Sequence, residues 1–119
     1  MQRLWIALGS LYGLIAVAMA AVAAHAALDA AQQQMLRDAI QMQGWHALAL
    51  LFTALWAARG GSLAHLAGAA FALGALLFCG AIYALALAGL RLPMVAPVGG
   101  TLAMLGWVLL GLSALRKTG

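Results

Sequence analysis

The sequence predicts an all-α integral membrane protein, built as a four-transmembrane-helix antiparallel bundle. Of its 119 residues, 67% are apolar, and only eight carry a charge, six Lys or Arg and two Asp or Glu. A soluble domain is typically about 25% charged and 45–50% apolar, so eight charges would not cover a water-exposed surface. The single cysteine excludes a disulfide scaffold, and the apolar content excludes intrinsic disorder.

The charged residues separate four uncharged windows along the chain. Each window is at least about 20 residues long, which is the length that a helix needs to cross a hydrocarbon core of about 30 Å. None shows the period-2 alternation of a membrane barrel strand, so the windows are predicted to be helices. The prediction is a single domain, residues 1–119, with spans at about 4–27, 39–58, 63–90 and 95–115.

The beginning of the chain also resembles a secretory signal peptide. Residues 1–26 contain Arg3, an apolar run and an Ala24-His25-Ala26 end of the kind that signal peptidase cleaves. The apolar region of a signal peptide is about 7–15 residues long, whereas this run is longer. We therefore expect the first window to be a retained span.

The connections between the spans predict their arrangement. Residues 59–62 and 89–93 are short and contain glycine, so spans 2, 3 and 4 are expected to run antiparallel. The link at residues 28–38 is longer, and Met35 and Met42 recur at helical spacing. It is predicted to form a short amphipathic helix on the membrane surface between spans 1 and 2, or an extension of span 2.

The two ends of the predicted bundle differ in charge. Four spans put both termini on one side with four positive charges, whereas the other side carries two arginines offset by two aspartates. The positive-inside rule then predicts a bacterial inner (plasma) membrane protein with both termini in the cytoplasm. No nucleic-acid partner is expected, since no basic patch interleaves with aromatic residues. The first group is Arg3, Arg59, Arg116 and Lys117, and the second is Arg37, Arg91, Asp29 and Asp38.

Small residues form a stripe along span 1, at Gly9, Gly13, Ala16 and Ala20. Such a stripe lets another helix approach closely, which is how helices associate in lipid. The stripe predicts tight packing either within the chain or between chains, so a homo-oligomer is one expectation. Membrane lipid is the other expected partner.

Polar residues within the apolar windows form the predicted site. His25 and Asp29 are spaced i,i+4, and Gln43 and His46 are spaced i,i+3, so each pair shares a helix face. One interpretation is an outer-leaflet pocket that binds a lipid, a small ligand, a metal ion, a quinone or a partner protein. The other is a hydrogen-bond network that fixes the geometry of the bundle. The candidate ligand-binding residues are His25, Asp29, Gln43, His46, Tyr83, Gly99 and Gly100.

No metal, cofactor or enzymatic activity is expected. A metal site needs three or four converging ligands, and only His25, His46 and Asp29 are near enough to each other. A bis-histidine haem would require the two histidines to face each other from different helices. Cys79 has no partner for thiol chemistry and is interpreted as a small buried residue.

A small multidrug-type proton-coupled transporter is the alternative function, because such transporters also use four spans in a short chain. That chemistry needs a carboxylate within the membrane. The acidic residues here are Asp29 and Asp38, both predicted at an interface, so a histidine would have to carry the proton.

Several motifs, in order along almost the whole chain, resemble the YgdD/YwdK-like family of small bacterial membrane proteins, a domain of unknown function that a mitochondrial animal branch also resembles. The resemblance implies a four-span inner-membrane protein and supplies no established activity. The family usually has Ser-Gly-Ser before the tyrosine, where this chain has Cys79-Gly80-Ala81. The motifs are Ala24-His25-Ala26, residues 43–50, residues 77–83, residues 96–100 and Gly106-Trp107.

Overall fold

A computed structural model describes residues 1–115 as three α-helices joined by short connections. Helix α1 spans Gln2–His25, α2 spans Ala30–Ala88 and α3 spans Val95–Ala114. All three are long and apolar enough to cross a membrane. Arg116 and Lys117, on which the predicted orientation partly rests, lie outside the described residues.

The predicted four-transmembrane-helix bundle is wrong in its helix count, because the chain stays helical where a separating connection was expected. Predicted spans 2 and 3 both belong to the 59-residue α2, inside which only Gly61 departs from helical angles, with φ 63° and ψ −144°. The predicted amphipathic helix between spans 1 and 2 is not a separate element, since residues 30–38 are the first turns of α2.

Helix α2 folds back on itself at Gly61. A straight helix of its length would extend about 88 Å, whereas the longest dimension of the structure is 55 Å. We call residues 30–60 the N-terminal arm and residues 62–88 the C-terminal arm. The arms lie side by side and antiparallel, because the Gln32 side-chain amide donates to the Ala86 carbonyl at 2.9 Å.

Local chemistry sets both ends of α2. At its start, Asp29 Oδ1 accepts from the Gln32 backbone amide at 2.7 Å, and Gln32 Oε1 accepts from the Asp29 amide at 2.9 Å. This reciprocal capping box satisfies two amides that the first turn leaves unpaired. At its end, Gly89 adopts the left-handed conformation with φ 66°, which glycine enters without steric cost.

Helices α1 and α3 flank α2, and no Cα atom of one comes within 8 Å of a Cα atom of the other. Each turns a narrow buried stripe toward α2, and the core is centred on Leu50 and Phe71 of α2, both fully buried. Part of the small-residue stripe of span 1 is therefore used within the chain. The buried residues are Trp5, Gly9, Tyr12 and Ala16 in α1, and Gly99, Ala103, Gly106 and Ser113 in α3.

Two tryptophans show which ends of the helices lie together. The indole of Trp5, at the start of α1, donates to His65 Nδ1 at 3.0 Å. The indole of Trp56 donates to Ser113 Oγ, at the end of α3, at 2.9 Å. His65 and Trp56 both lie close to the bend of α2 at Gly61, and Ser113 lies in the last turn of α3. The start of α1, the end of α3 and the bend at Gly61 therefore share one end of the molecule.

Candidate functional site

A chain of hydrogen bonds around Gln43 ties α1 to both arms of α2. The Tyr83 hydroxyl donates to Gln43 Oε1 at 2.6 Å, and Gln43 Nε2 donates to the Tyr12 backbone carbonyl at 2.9 Å. The Tyr12 hydroxyl donates in turn to the Ala72 carbonyl at 2.6 Å. A backbone carbonyl can only accept, so the orientation of the Gln43 amide is fixed and Oε1 is left for Tyr83.

This network satisfies groups that would otherwise be costly to bury. Gln43 is 4% exposed and Tyr12 is 8% exposed. A buried amide or hydroxyl destabilises the fold unless it has a partner. Within residues 1–115, no buried side-chain nitrogen or oxygen lacks a hydrogen-bond partner. The network thus holds the helices together without requiring a bound polar molecule.

His46 is engaged at both ring nitrogens. Nδ1 lies 2.6 Å from the Met42 carbonyl oxygen, and Nε2 accepts from the Trp107 indole at 3.1 Å. Because the carbonyl only accepts, the hydrogen of the imidazole is on Nδ1. The ring also meets Phe71 and Trp107 edge to face, with centroids 5.6 Å and 5.8 Å away. No ring nitrogen remains for a ligand.

His25 and Asp29 lie apart from this network. His25 is the last residue of α1 and is exposed, and Asp29 is the cap of α2. His46 comes 16 residues into α2, which is about 24 Å from its start. The structure therefore brings Gln43 and Tyr83 together and leaves the pair of His25 and Asp29 at the end of the molecule.

Gly99 and Gly100 lie on α3, where it crosses the C-terminal arm of α2. A Cβ added at Gly99 would lie 2.7 Å from the Gly74 carbonyl oxygen and closer still to the Phe78 amide nitrogen. A Cβ at Gly100 would lie 3.6 Å from the Phe78 ring. Gly99 thus permits a close approach of two helix backbones, which is a packing role.

A crevice of about 210 Å³ opens beside the network, between α1 and the C-terminal arm of α2. Ile15 and Leu76 at its rim are 37% and 57% exposed, so the crevice opens sideways onto the apolar surface of the helices. Carbon atoms form most of its wall, since the polar atoms of Gln43 and Tyr83 face each other. Its lining is Tyr12, Ile15, Gln43, Ala75, Leu76, Cys79, Gly80 and Tyr83.

Sequence reasoning did not place Tyr12 and Trp107 at these sites. Tyr12 had a usable signal, because it falls between Gly9 and Ala16 on one helical face with Trp5. Trp107 had none, since its pairing with His46 depends on how α3 lies across α2.

Within the part of the chain that the structure describes, no three His, Cys, Asp or Glu side chains come together to hold a metal ion. Asp29 is an exposed helix cap, and the exposed Asp38 accepts a hydrogen bond from Gln34 at 2.9 Å. Both acidic side chains therefore lie outside the crevice.

These features define a class: a small helical transmembrane protein whose buried polar groups pair with one another. Comparison with known proteins identifies the family. Residues 19–100 match the model of the family described as "Protein of unknown function (DUF423)". The chain belongs to this family, which confirms the resemblance inferred from its motifs. No solved structure matches the chain.

Curated relatives extend over nearly the whole chain. A "UPF0382 membrane protein" of Haemophilus influenzae is 33% identical, covering 98% of this chain and 98% of its own. The "UPF0382 inner membrane protein YgdD" of Escherichia coli K12 is 34% identical, covering 97% and 92%. A "UPF0382 membrane protein" of Staphylococcus epidermidis is 31% identical, covering 99% and 100%. The chain is thus a transmembrane protein of an uncharacterised family.

Proposed function

We propose that this protein holds the hydrocarbon chain of a membrane lipid in the crevice between α1 and the C-terminal arm of α2. The observation that carries the proposal is a sideways-opening cavity of about 210 Å³ with apolar walls. Pockets for drug-sized ligands measure about 300–1,000 Å³, and an apolar cavity of about 150 Å³ takes one benzene. A single acyl chain suits a volume between these.

The chemistry of the crevice favours a lipid hydrocarbon chain over a polar molecule. The Tyr83 hydroxyl donates to Gln43, and the Gln43 amide donates to the Tyr12 backbone carbonyl. A polar ligand would lose its hydration and find few free partners, which costs free energy. A hydrocarbon chain has no hydration and no hydrogen bonds to lose on entering. The network instead fixes the Tyr83 ring as a wall of the crevice.

Gly80 offers a direct test, because it lines the crevice and a Cβ there would meet nothing within 4 Å. In Gly80→Leu the leucine side chain fills the space that the lipid chain would occupy. The matched control is Gly111→Leu on α3, where an added Cβ also meets nothing within 4 Å.

The probe is phosphatidylethanolamine with a diazirine in its acyl chain, reconstituted with the purified protein and photolysed. We expect adducts mapped by mass spectrometry at Ile15 and Leu76, reduced severalfold in Gly80→Leu and unchanged in Gly111→Leu. Adducts at the exposed Leu105 of α3 normalise the labelling. Equal labelling of the crevice in Gly80→Leu and the unaltered protein would overturn the proposal.

We also propose that the protein lies in the bacterial inner membrane with both termini in the cytoplasm. Arg3 and Arg59 support this, because they lie toward the end of the molecule that holds the bend, and positive charge favours the cytoplasmic side. The test uses single cysteines in a Cys79→Ala background. A membrane-impermeant maleimide applied to spheroplasts should label Leu90→Cys and spare Ser62→Cys, which lies beside the bend and is exposed. The reverse pattern contradicts the orientation.

A further inference from the structure

A second cavity, of about 450 Å³, lies on a different face of the C-terminal arm, where the chain passes from α2 into α3. Its apolar wall includes Ile82 and Leu85 of α2 and Ala96 of α3. Arg91, in the connection between the two helices, lies at its edge and is exposed. The cavity thus combines a hydrocarbon surface with one cation.

The position of this cavity corresponds to the boundary of the hydrocarbon core. The uncharged residues 39–58 lie between Asp38 and Arg59 and are long enough to cross about 30 Å as a helix. Cys79 Sγ donates to the Ala39 carbonyl at 3.3 Å, so Cys79 is level with the edge of that stretch. Ile82 and Leu85 follow it toward the interface.

Within residues 1–115, the two acidic side chains make their hydrogen bonds to groups other than Arg91. The chain has two acidic side chains, of which Asp29 caps α2 and Asp38 accepts from Gln34. Arginine stays charged and its planar guanidinium matches the oxygens of a phosphate. The start of α3 adds to this field, because Met94 supplies no side-chain cap and the N-terminus of a helix is its positive end.

We propose that Arg91 binds the phosphate of an anionic phospholipid, with one of its acyl chains lying against Ile82 and Leu85. Charge complementarity selects the headgroup, and the apolar wall below it selects a lipid over a soluble anion. The site is independent of the proposed acyl-chain crevice between α1 and the C-terminal arm of α2, whose lining includes no Lys or Arg.

The experiment places the purified protein in nanodiscs of equal parts phosphatidylglycerol and phosphatidylethanolamine, and counts retained lipids by native mass spectrometry. The unaltered protein should retain phosphatidylglycerol preferentially. Arg91→Gln should lower that preference roughly fivefold, the factor expected for one arginine near a membrane surface. Arg91→Lys should keep most of it, because the charge remains.

Arg37→Gln is the comparison variant, since Arg37 is also an exposed arginine, at the same end of the molecule, and is followed directly by Asp38 in the sequence. It should leave the preference unchanged, as should Gly80→Leu, which separates this site from the crevice. Inorganic phosphate in millimolar excess should not displace the lipid. No preference in the unaltered protein, an unchanged preference in Arg91→Gln, an equal loss in Arg37→Gln or displacement by phosphate would each overturn the proposal.

Discussion

His46 shows how a polar residue inside an apolar span can be structural. Its two nitrogens bond the Met42 carbonyl and the Trp107 indole, and its ring lies against Phe71. A histidine with both ring nitrogens hydrogen-bonded contributes to the fold and has no nitrogen free to bind a ligand. The nearby Tyr83 differs, because it is partly exposed and one face of it borders the crevice.

Replacing His46 with leucine should destabilise the protein by about 1–3 kcal/mol, because the Trp107 indole loses its acceptor. Thermal unfolding in detergent, followed by tryptophan fluorescence, measures this. His25→Leu is the control and should stay within about 0.5 kcal/mol, since His25 is exposed at the end of α1. Equal stability of the two variants would contradict the structural role of His46.

For individual residues, the sequence predicted which polar side chains lie within the apolar stretches but not their hydrogen-bond partners. It named Gln43 and Tyr83, whose side chains are joined by a hydrogen bond in the structure. It grouped His25 with His46 because depth was counted from helix ends predicted at the wrong residues. The α2 helix begins at Ala30, nine residues before the predicted start of the span, which puts His46 deeper.

The contact between α2 and α3 depends on a glycine at each side of the crossing. Gly74 and Gly99 approach so closely that a Cβ on either would collide with backbone atoms of the other helix. In lipid, where apolar surface gains little from burial between helices, such close packing is a main source of association.

The neighbouring glycines of α3 give a matched pair for testing this crossing. Gly99→Ala should cost about 1–3 kcal/mol, because its Cβ has no room against Gly74 and Phe78. Gly100→Ala should be neutral or stabilising by up to about 1 kcal/mol, since its Cβ makes an ordinary contact and alanine favours helix. Thermal unfolding measures both, and similar costs for the two would contradict the close approach of α3 to the C-terminal arm at Gly99.

The bend of α2 depends on Gly61, whose φ of 63° with ψ of −144° is a conformation that side chains rarely allow. Gly61→Ala should therefore destabilise the protein by about 1–3 kcal/mol. Gly111→Ala, in open space on a regular helix, should instead be stabilising by up to about 1 kcal/mol. A Gly61→Ala protein with unchanged unfolding temperature would show that the bend tolerates other angles.

The membrane class and the apolar stretches were predictable, whereas the number of helices was not. Uncharged windows report length and hydropathy, which do not distinguish a loop from a bend of one residue. Residues 59–62 contain two glycines and an arginine, the composition of a connection, yet the helix continues through Gly60 and resumes after Gly61. Only backbone angles separate the two cases.

Across the whole molecule, α2 is the central helix, and α1 and α3 each pack against it. Both arms of α2 contact α1 through the network of Tyr12, Gln43 and Tyr83. Helix α3 contacts the arms elsewhere, and no Cα atom of α1 comes within 8 Å of a Cα atom of α3. Because the two interfaces lie at different places on α2, we expect a substitution at one interface to have little effect on the free energy contributed by the other.

A double-variant cycle tests this independence. Gly9→Ala strains the packing of α1, because its Cβ would lie 2.9 Å from the Ala47 carbonyl, and Gly99→Ala strains the packing of α3. The losses in the free energy of unfolding should add to within about 0.5 kcal/mol. A coupling well above that value would show that α1 and α3 influence each other through α2.

The bend at Gly61 also has a consequence for biogenesis. One glycine separates the two arms, so the second arm leaves the ribosome directly behind the first, with no polar linker to keep them apart. An apolar helical hairpin has no favourable state in water, and its arms already satisfy their backbone groups. We therefore expect the hairpin to enter the bilayer as one unit, onto which the first and last helices assemble.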